Sequence, residues 1–142
     1  MSQSLVVLSW PDYISPQTIE QFQSEFGVAV QLEIVPSAVE LIERMQVDHP
    51  GVDVLVPPDY AVRELNGESR LAALDHSLLP NFLHLDPRFR TGRPHDPESN
   101  VSIVKDSGTT GFMYRTDKIS ESPQSWADFW TLAARYHGHV TV

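Results

Sequence analysis

The apolar positions of this chain recur with two periods over its first 60 or so residues and then lose both. Leu5-Val6-Val7-Leu8 is an uninterrupted apolar run, β-branched at its centre and closed by Trp10-Pro11. A short run bounded by proline predicts a buried strand over residues 4–9. Ser15-Pro16 follows, a capping oxygen beside a residue suited to the first helical position. Ile19, Phe22 and Phe26 then fall on one helical face, and Gly27 offers the left-handed stop. Val28, Val30, Leu32 and Ile34 alternate, which predicts a second strand with one buried face. Ser37 and Glu40 have the spacing of a capping box, each side chain satisfying the other residue's amide. Val39, Ile42 and Met45 give that helix its apolar stripe, widened by Leu41, and Pro50-Gly51 ends it. Residues 52–56 form a third predicted strand, closed by Pro57-Pro58. Strands separated by single helices imply an α/β architecture, a parallel sheet with right-handed crossovers.

Beyond Tyr60 the texture changes. Residues 61–65 predict a short helix and 71–74 a brief apolar stretch. Residues 75–100 are irregular, with Pro80, Pro87, Pro94 and Pro97 interleaved with His76, His84 and His95. A long ordered loop of that kind is usually functional or packed across another lobe. Residues 101–104 and 111–114 read as short strands around Ser107-Gly108-Thr109-Thr110. Ser125 and Asp128 cap a last helix with Trp126, Phe129, Trp130 and Ala133 on its apolar side. Gly138 ends it and residues 139–142 begin a strand, so the chain reads as cut inside an element.

Composition narrows the classes. At 142 residues with 41% hydrophobic and 20% charged positions, the chain has the make-up of one globular domain with a real core. Lys and Arg number 10 against 19 Asp and Glu, a formal charge of −9, which argues against a nucleic-acid binder and a polybasic membrane surface. The absence of cysteine removes disulfides, thiolate catalysis and cysteine-containing metal sites. No run approaches the length of a membrane span, and Met-Ser-Gln-Ser opens no signal peptide.

The candidate chemistry lies at strand ends. In an open parallel sheet, ligands bind beyond the carboxyl ends of the strands. The first strand ends at Trp10-Pro11-Asp12-Tyr13 and the third at Pro57-Pro58-Asp59-Tyr60, so both offer an aromatic and an acid. Aromatic faces attract ammonium groups by about 0.5–2 kcal/mol and carboxylates neutralise them. The same pattern also suits Trp10 and Tyr60 as lids on the core. Gly108-Thr109-Thr110-Gly111 lacks the lysine of a phosphate-binding loop and reads better as a hinge. The six histidines form no metal-binding spacing, and no nucleophile elbow is present. Asp12 and Asp59 are the acids available for an enzymatic reading.

The order of these motifs resembles one family. Residues 9–16 (SWPDYISP), 22–30 (FQSEFGVAV) and 52–57 (VDVLVP) with Asp59-Tyr60 look like the opening of the spermidine/putrescine-binding proteins of bacterial ABC importers. Leu79-Pro80-Asn81-Phe82, Leu85-Asp86-Pro87-Arg88-Phe89, Gly108-Thr109-Thr110-Gly111-Phe112 and residues 125–130 (SWADFW) continue the series in the family's order across nearly the whole chain.

The resemblance implies a type II periplasmic-binding-protein lobe, a mostly parallel sheet flanked by helices and left incomplete in this chain. Residues 1–107 would be the first lobe, and 108–142 the hinge crossing and the start of a second. It implies a receptor, not an enzyme, that is periplasmic or extracellular and membrane-associated. Such a receptor would close an interlobe cleft on putrescine or spermidine and deliver it to a membrane permease. No cofactor is implied. Trp10, Tyr13 and Tyr60 would line the cleft, Asp12 and Asp59 would face the ammonium groups, and Thr109 and Thr110, in the hinge segment, would also contact the ligand. Three departures are Pro58 where relatives often carry Ser, Val104 where they usually carry Pro, and Ser107 where an aromatic is common. The alternatives are a receptor for another small solute, an enzyme of similar two-lobed fold using Asp12 or Asp59, and the effector-sensing domain of a regulator. An N-terminal fragment would expose Trp126, Phe129 and Trp130, or bury them against a second copy in a homodimer.

Overall fold

The computed structural model of the chain describes residues 4–47 and 51–141, so the expected stop at Pro50 and the last residue of the 139–142 strand lie outside the described residues. Three strands, β1 (Ser4–Ser9), β2 (Ala29–Ile34) and β3 (Val54–Leu55), form a parallel sheet in the order β2-β1-β3. Ser4 pairs with Ala29 and Ser9 with Ile34, while Leu8 lies opposite Leu55 on the other side. Only two residues of β3 pair formally. The hydrogen bonds from Asp53 N to Val6 O and from Val56 N to Leu8 O, both 2.9 Å, extend the contact toward the predicted length.

Helix α1 (Pro16–Phe26) forms as its ends dictate. The Ser15 hydroxyl accepts from Thr18 N at 3.2 Å, and Gly27 at φ 66° donates its amide to Gln23 O. In α2 (Ala38–Gln46) the Ser37 hydroxyl accepts from Glu40 N. The Glu40 carboxylate takes the Ser37 hydroxyl rather than its amide, which is half of the expected box. The buried stripe of α2 is Leu41 and Met45, whereas Val39 is 63% exposed. Helix α3 (Asp59–Gly67) is longer than predicted and buries Ala61, Val62 and Leu65.

The two faces of the sheet differ. Leu8, Leu41, Met45 and Leu65 form the core, with Trp10, Ile42 and Leu55 packed on it, so α2 and α3 cover the face of β1 that carries Leu8. Burying each such side chain stabilises by about 1.5–3 kcal/mol. Right-handed crossovers put α1 on the opposite face. There Phe26, Ile34 and Val54 remain 59%, 47% and 46% exposed, so the face of β2 expected to be buried is only partly covered.

The irregular stretch after α3 is ordered by side chains. It contains short 3-10 turns at His76–Leu78, Pro80–His84 and Pro87–Phe89. It is also stapled by Asp96, which is 4% exposed. The Asp96 carboxylate accepts from the amides of Asn100, Val101 and Ser102, from the Ser102 hydroxyl and from Arg93.

Residues 101–104 and 111–114, expected as short strands, form none, and 139–141 likewise form none. Contacts divide the chain into two units, Met1–Asp106 and Ser107–Val142. In the second, α4 (Trp126–Arg135) carries a complete Ser125/Asp128 capping box. Its Phe129 meets both Trp126 and Trp130 edge to face, and Phe112 packs on Trp126 and Phe129. The helix ends at Tyr136, and Gly138 at φ 79° belongs to the turn beyond it. No helix among the described residues is long and apolar enough to cross a membrane.

Candidate functional site

The carboxyl end of β1 carries the first cluster. Trp10-Pro11-Asp12-Tyr13 is a tight turn in which Tyr13 N approaches Trp10 O at 3.4 Å. Proline at its second position and a positive φ of 61° at Asp12 are the requirements of a type II turn. The turn folds Tyr13 back so that its ring meets Trp10 edge to face, centroids 6.4 Å apart. Trp10 is half-buried and packs on the core, the lid role that its position suggested. Tyr13 is 46% exposed. Just before the turn, the wholly buried Ser9 hydroxyl has no hydrogen-bond partner.

The second cluster follows β3. Because Leu8 and Leu55 are opposite each other, the segments that leave β1 and β3 emerge from neighbouring strand ends. Asp59 opens α3, where a negative charge suits the helix dipole. One of its oxygens accepts from Tyr60 N at 2.7 Å, and the other lies 3.6 Å from His95 Nε2. The carboxylate is thereby held in one orientation while remaining largely open to solvent. Tyr60 is 48% exposed. The structure therefore pairs Trp10 with Tyr13 and Asp59 with Tyr60, each pair at its own strand end. Asp12 is exposed and serves the turn through its backbone. Thr109 and Thr110 lie in the second unit, exposed and outside any regular element.

Two neighbours of these residues escaped the sequence reading. His95 reaches Asp59 from the long loop, its Nδ1 buried without a partner. Lys105 places Nζ 4.8 Å from the Tyr13 ring centroid. Neither follows from local spacing, since both contacts join residues far apart in sequence. The arrangement as a whole can hold a small cation: aromatic faces and a carboxylate stand exposed at adjacent strand ends. Among the described residues no group of three or more metal-ligating side chains comes together.

Comparison with known proteins places the chain in a family and a fold. The family model for bacterial extracellular solute-binding proteins matches residues 17–142, a span that includes Asp59 and Tyr60 and starts after Tyr13. The chain is 30% identical over 131 residues to the spermidine/putrescine-binding periplasmic protein of Escherichia coli, covering 91% of this chain and 37% of that protein. It is also 30% identical to a putrescine/agmatine-binding protein of Pseudomonas aeruginosa, with 91% and 36% coverage. The chain thus spans little more than a third of the curated relatives it matches. Among solved structures, the spermidine/putrescine ABC transporter substrate-binding protein of Streptococcus pneumoniae superposes with a TM-score of 0.74 at 31% identity, over 91% of this chain and 40% of that one. A Treponema pallidum lipoprotein gives a TM-score of 0.69 at 18% identity over 89% and 40%, a likeness of fold alone. The fold is that of a type II periplasmic-binding-protein lobe.

Proposed function

The chain belongs to the bacterial extracellular solute-binding protein family, and from that premise we propose that it carries an ammonium-recognising wall of a polyamine receptor. The receptor works outside the cytoplasm, in the periplasm or at the membrane surface, and hands putrescine or spermidine to an ABC permease. The observation that carries this reading is the pair of strand ends. Tyr13 and Tyr60 are about half exposed there, with the Asp59 carboxylate held open beside Tyr60.

Binding by this wall needs no chemistry beyond desolvation and charge. The ammonium of an alkylamine sheds part of its water against an aromatic face, gaining about 0.5–2 kcal/mol, and its methylenes cover apolar ring surface. Asp59 accepts a charge-assisted hydrogen bond, with its orientation already fixed by the Tyr60 amide and His95. The ligand leaves unchanged, which separates this reading from that of an enzyme using Asp12 or Asp59.

Isothermal titration with putrescine and spermidine, against arginine as the control cation, tests the proposal. Saturable binding of the polyamines, with no comparable arginine binding, is expected. Tyr60→Leu should weaken it about tenfold, the equivalent of about 1.4 kcal/mol, within the range of one cation–aromatic contact. Equal affinity for arginine, or indifference to Tyr60→Leu, would remove the polyamine reading.

A further inference from the structure

Tyr13 is the most open ring of the first cluster, yet its face is not vacant. Lys105 Nζ lies 4.8 Å from the ring centroid, well within the reach of a cation–aromatic contact. Both partners are held in place from behind. Tyr13 is fixed by the turn at Pro11 and Asp12 and by its edge-to-face contact with Trp10. Lys105 follows closely on Ser102, whose amide and hydroxyl donate to Asp96 at 2.9 and 2.8 Å and whose carbonyl accepts from Arg93 at 2.8 Å. The lysine is thus delivered to the ring by an anchored arm, and its ammonium also pairs with Asp106 at 3.1 Å. Asp106 is the counter-charge that would remain if the lysine swung away.

We propose that Lys105 is a specificity-determining residue, an internal cation that occupies the Tyr13 face and must be displaced by a ligand's ammonium. The inference rests on the reading above, that this wall receives an amine, and it adds a cost to placing a charged end at Tyr13. A ligand ammonium seated there meets either the aromatic face vacated by Lys105 or, if the lysine stays, a like charge a few ångströms away. The competition is set by one contact at an exposed site, so its size is modest. It discriminates against the amine that presents charge to Tyr13, not against the one that presents charge to Asp59.

A double-mutant cycle on the full chain measures it. Lys105→Met keeps the apolar stem and removes the charge; it should tighten putrescine binding about threefold, the fold-change expected when one exposed cation–aromatic competitor is lost. In a Tyr13→Leu background the same substitution should have no effect, because the contested face is gone. Unchanged or weaker binding by Lys105→Met overturns the proposal, and so does an equal gain in both backgrounds, which would mark a general charge effect. A second readout does not depend on affinity. In proton NMR of the free chain the Lys105 ε-methylene should be shifted upfield by the Tyr13 ring, and putrescine should return it toward the position of an unstacked lysine. An unshifted methylene in the free chain overturns the proposal. If putrescine binds neither the chain nor the Lys105→Met variant, displacement falls together with the polyamine reading. A methylene that is still shifted then shows that the ligand class, and not the Lys105–Tyr13 contact, was at fault.

Discussion

Asp96 shows how one side chain can replace a missing element. Residues 90–102 have no regular structure, yet their backbone amides need partners, and Asp96 supplies them to Asn100, Val101 and Ser102 while pairing with Arg93. Desolvation by burial pushes its carboxyl up, but the Ser102 hydroxyl and the amides of Val101, Asn100 and Ser102 outweigh that and hold it below the ordinary carboxylate range. A group whose pKa is lowered on folding stabilises at pH values above its unfolded value, about 3.9, and loses that contribution as pH falls through the folded value. Asp96→Asn should therefore cost about 2–3 kcal/mol near neutral pH, the scale of hydrogen bonds to a charged acceptor. At a pH below the folded value the gap between the two proteins should shrink, because the native carboxyl is then protonated as well. Urea unfolding of both proteins at the two pH values checks this; an equal gap at both would show that the fit of the side chain, not its charge, holds the loop.

At the scale of elements, helix ends were legible in the sequence and helix faces less so. Ser15, Pro16 and Gly27 delimit α1, and Ser125 with Asp128 opens α4, because a cap is a contact between residues three or four apart. The buried face of α2 was not settled in this way. Val39, Leu41, Ile42 and Met45 allow two overlapping stripes, and it is Leu65 of α3, joining Leu8 in the core, that selects Leu41 and Met45. Leu41→Ala should accordingly cost about 3 kcal/mol, the usual result of hollowing a sealed site. Val39→Ala should stay within about 0.5 kcal/mol, as surface changes do. Thermal unfolding of the two variants decides it, and similar losses would mean that the helix presents the other stripe. Segments 101–104 and 111–114 failed as strands for a related reason: a short apolar stretch suits a strand, but a ladder needs a neighbouring chain. The site divides along the same line. Trp10, Tyr13, Asp59 and Tyr60 could be read from proline-terminated strands, whereas His95 and Lys105 arrive from far along the chain and leave no local mark.

At the scale of the whole molecule, the proposed polyamine reading would give the excess of acid a use that composition alone did not. A formal charge of −9 says nothing about a neutral solute, but it favours the approach of a multiply charged amine and disfavours anions. Such a field is screened over about 10 Å at 0.1 M salt, so it acts on encounter more than on the docked complex. Contacts at Tyr13, Tyr60 and Asp59 are short-ranged and should set how long the ligand stays. The two contributions separate in a stopped-flow experiment with spermidine, carrying three charges, and putrescine, carrying two. Raising salt from about 0.02 M to about 0.2 M should slow association of both while leaving dissociation nearly unchanged. Spermidine should lose more than putrescine, because the steering energy scales with ligand charge. If the two amines lose association rate equally, or if salt acts mainly on dissociation, the acidic field is not steering the ligand and recognition lies wholly in the contacts at the strand ends.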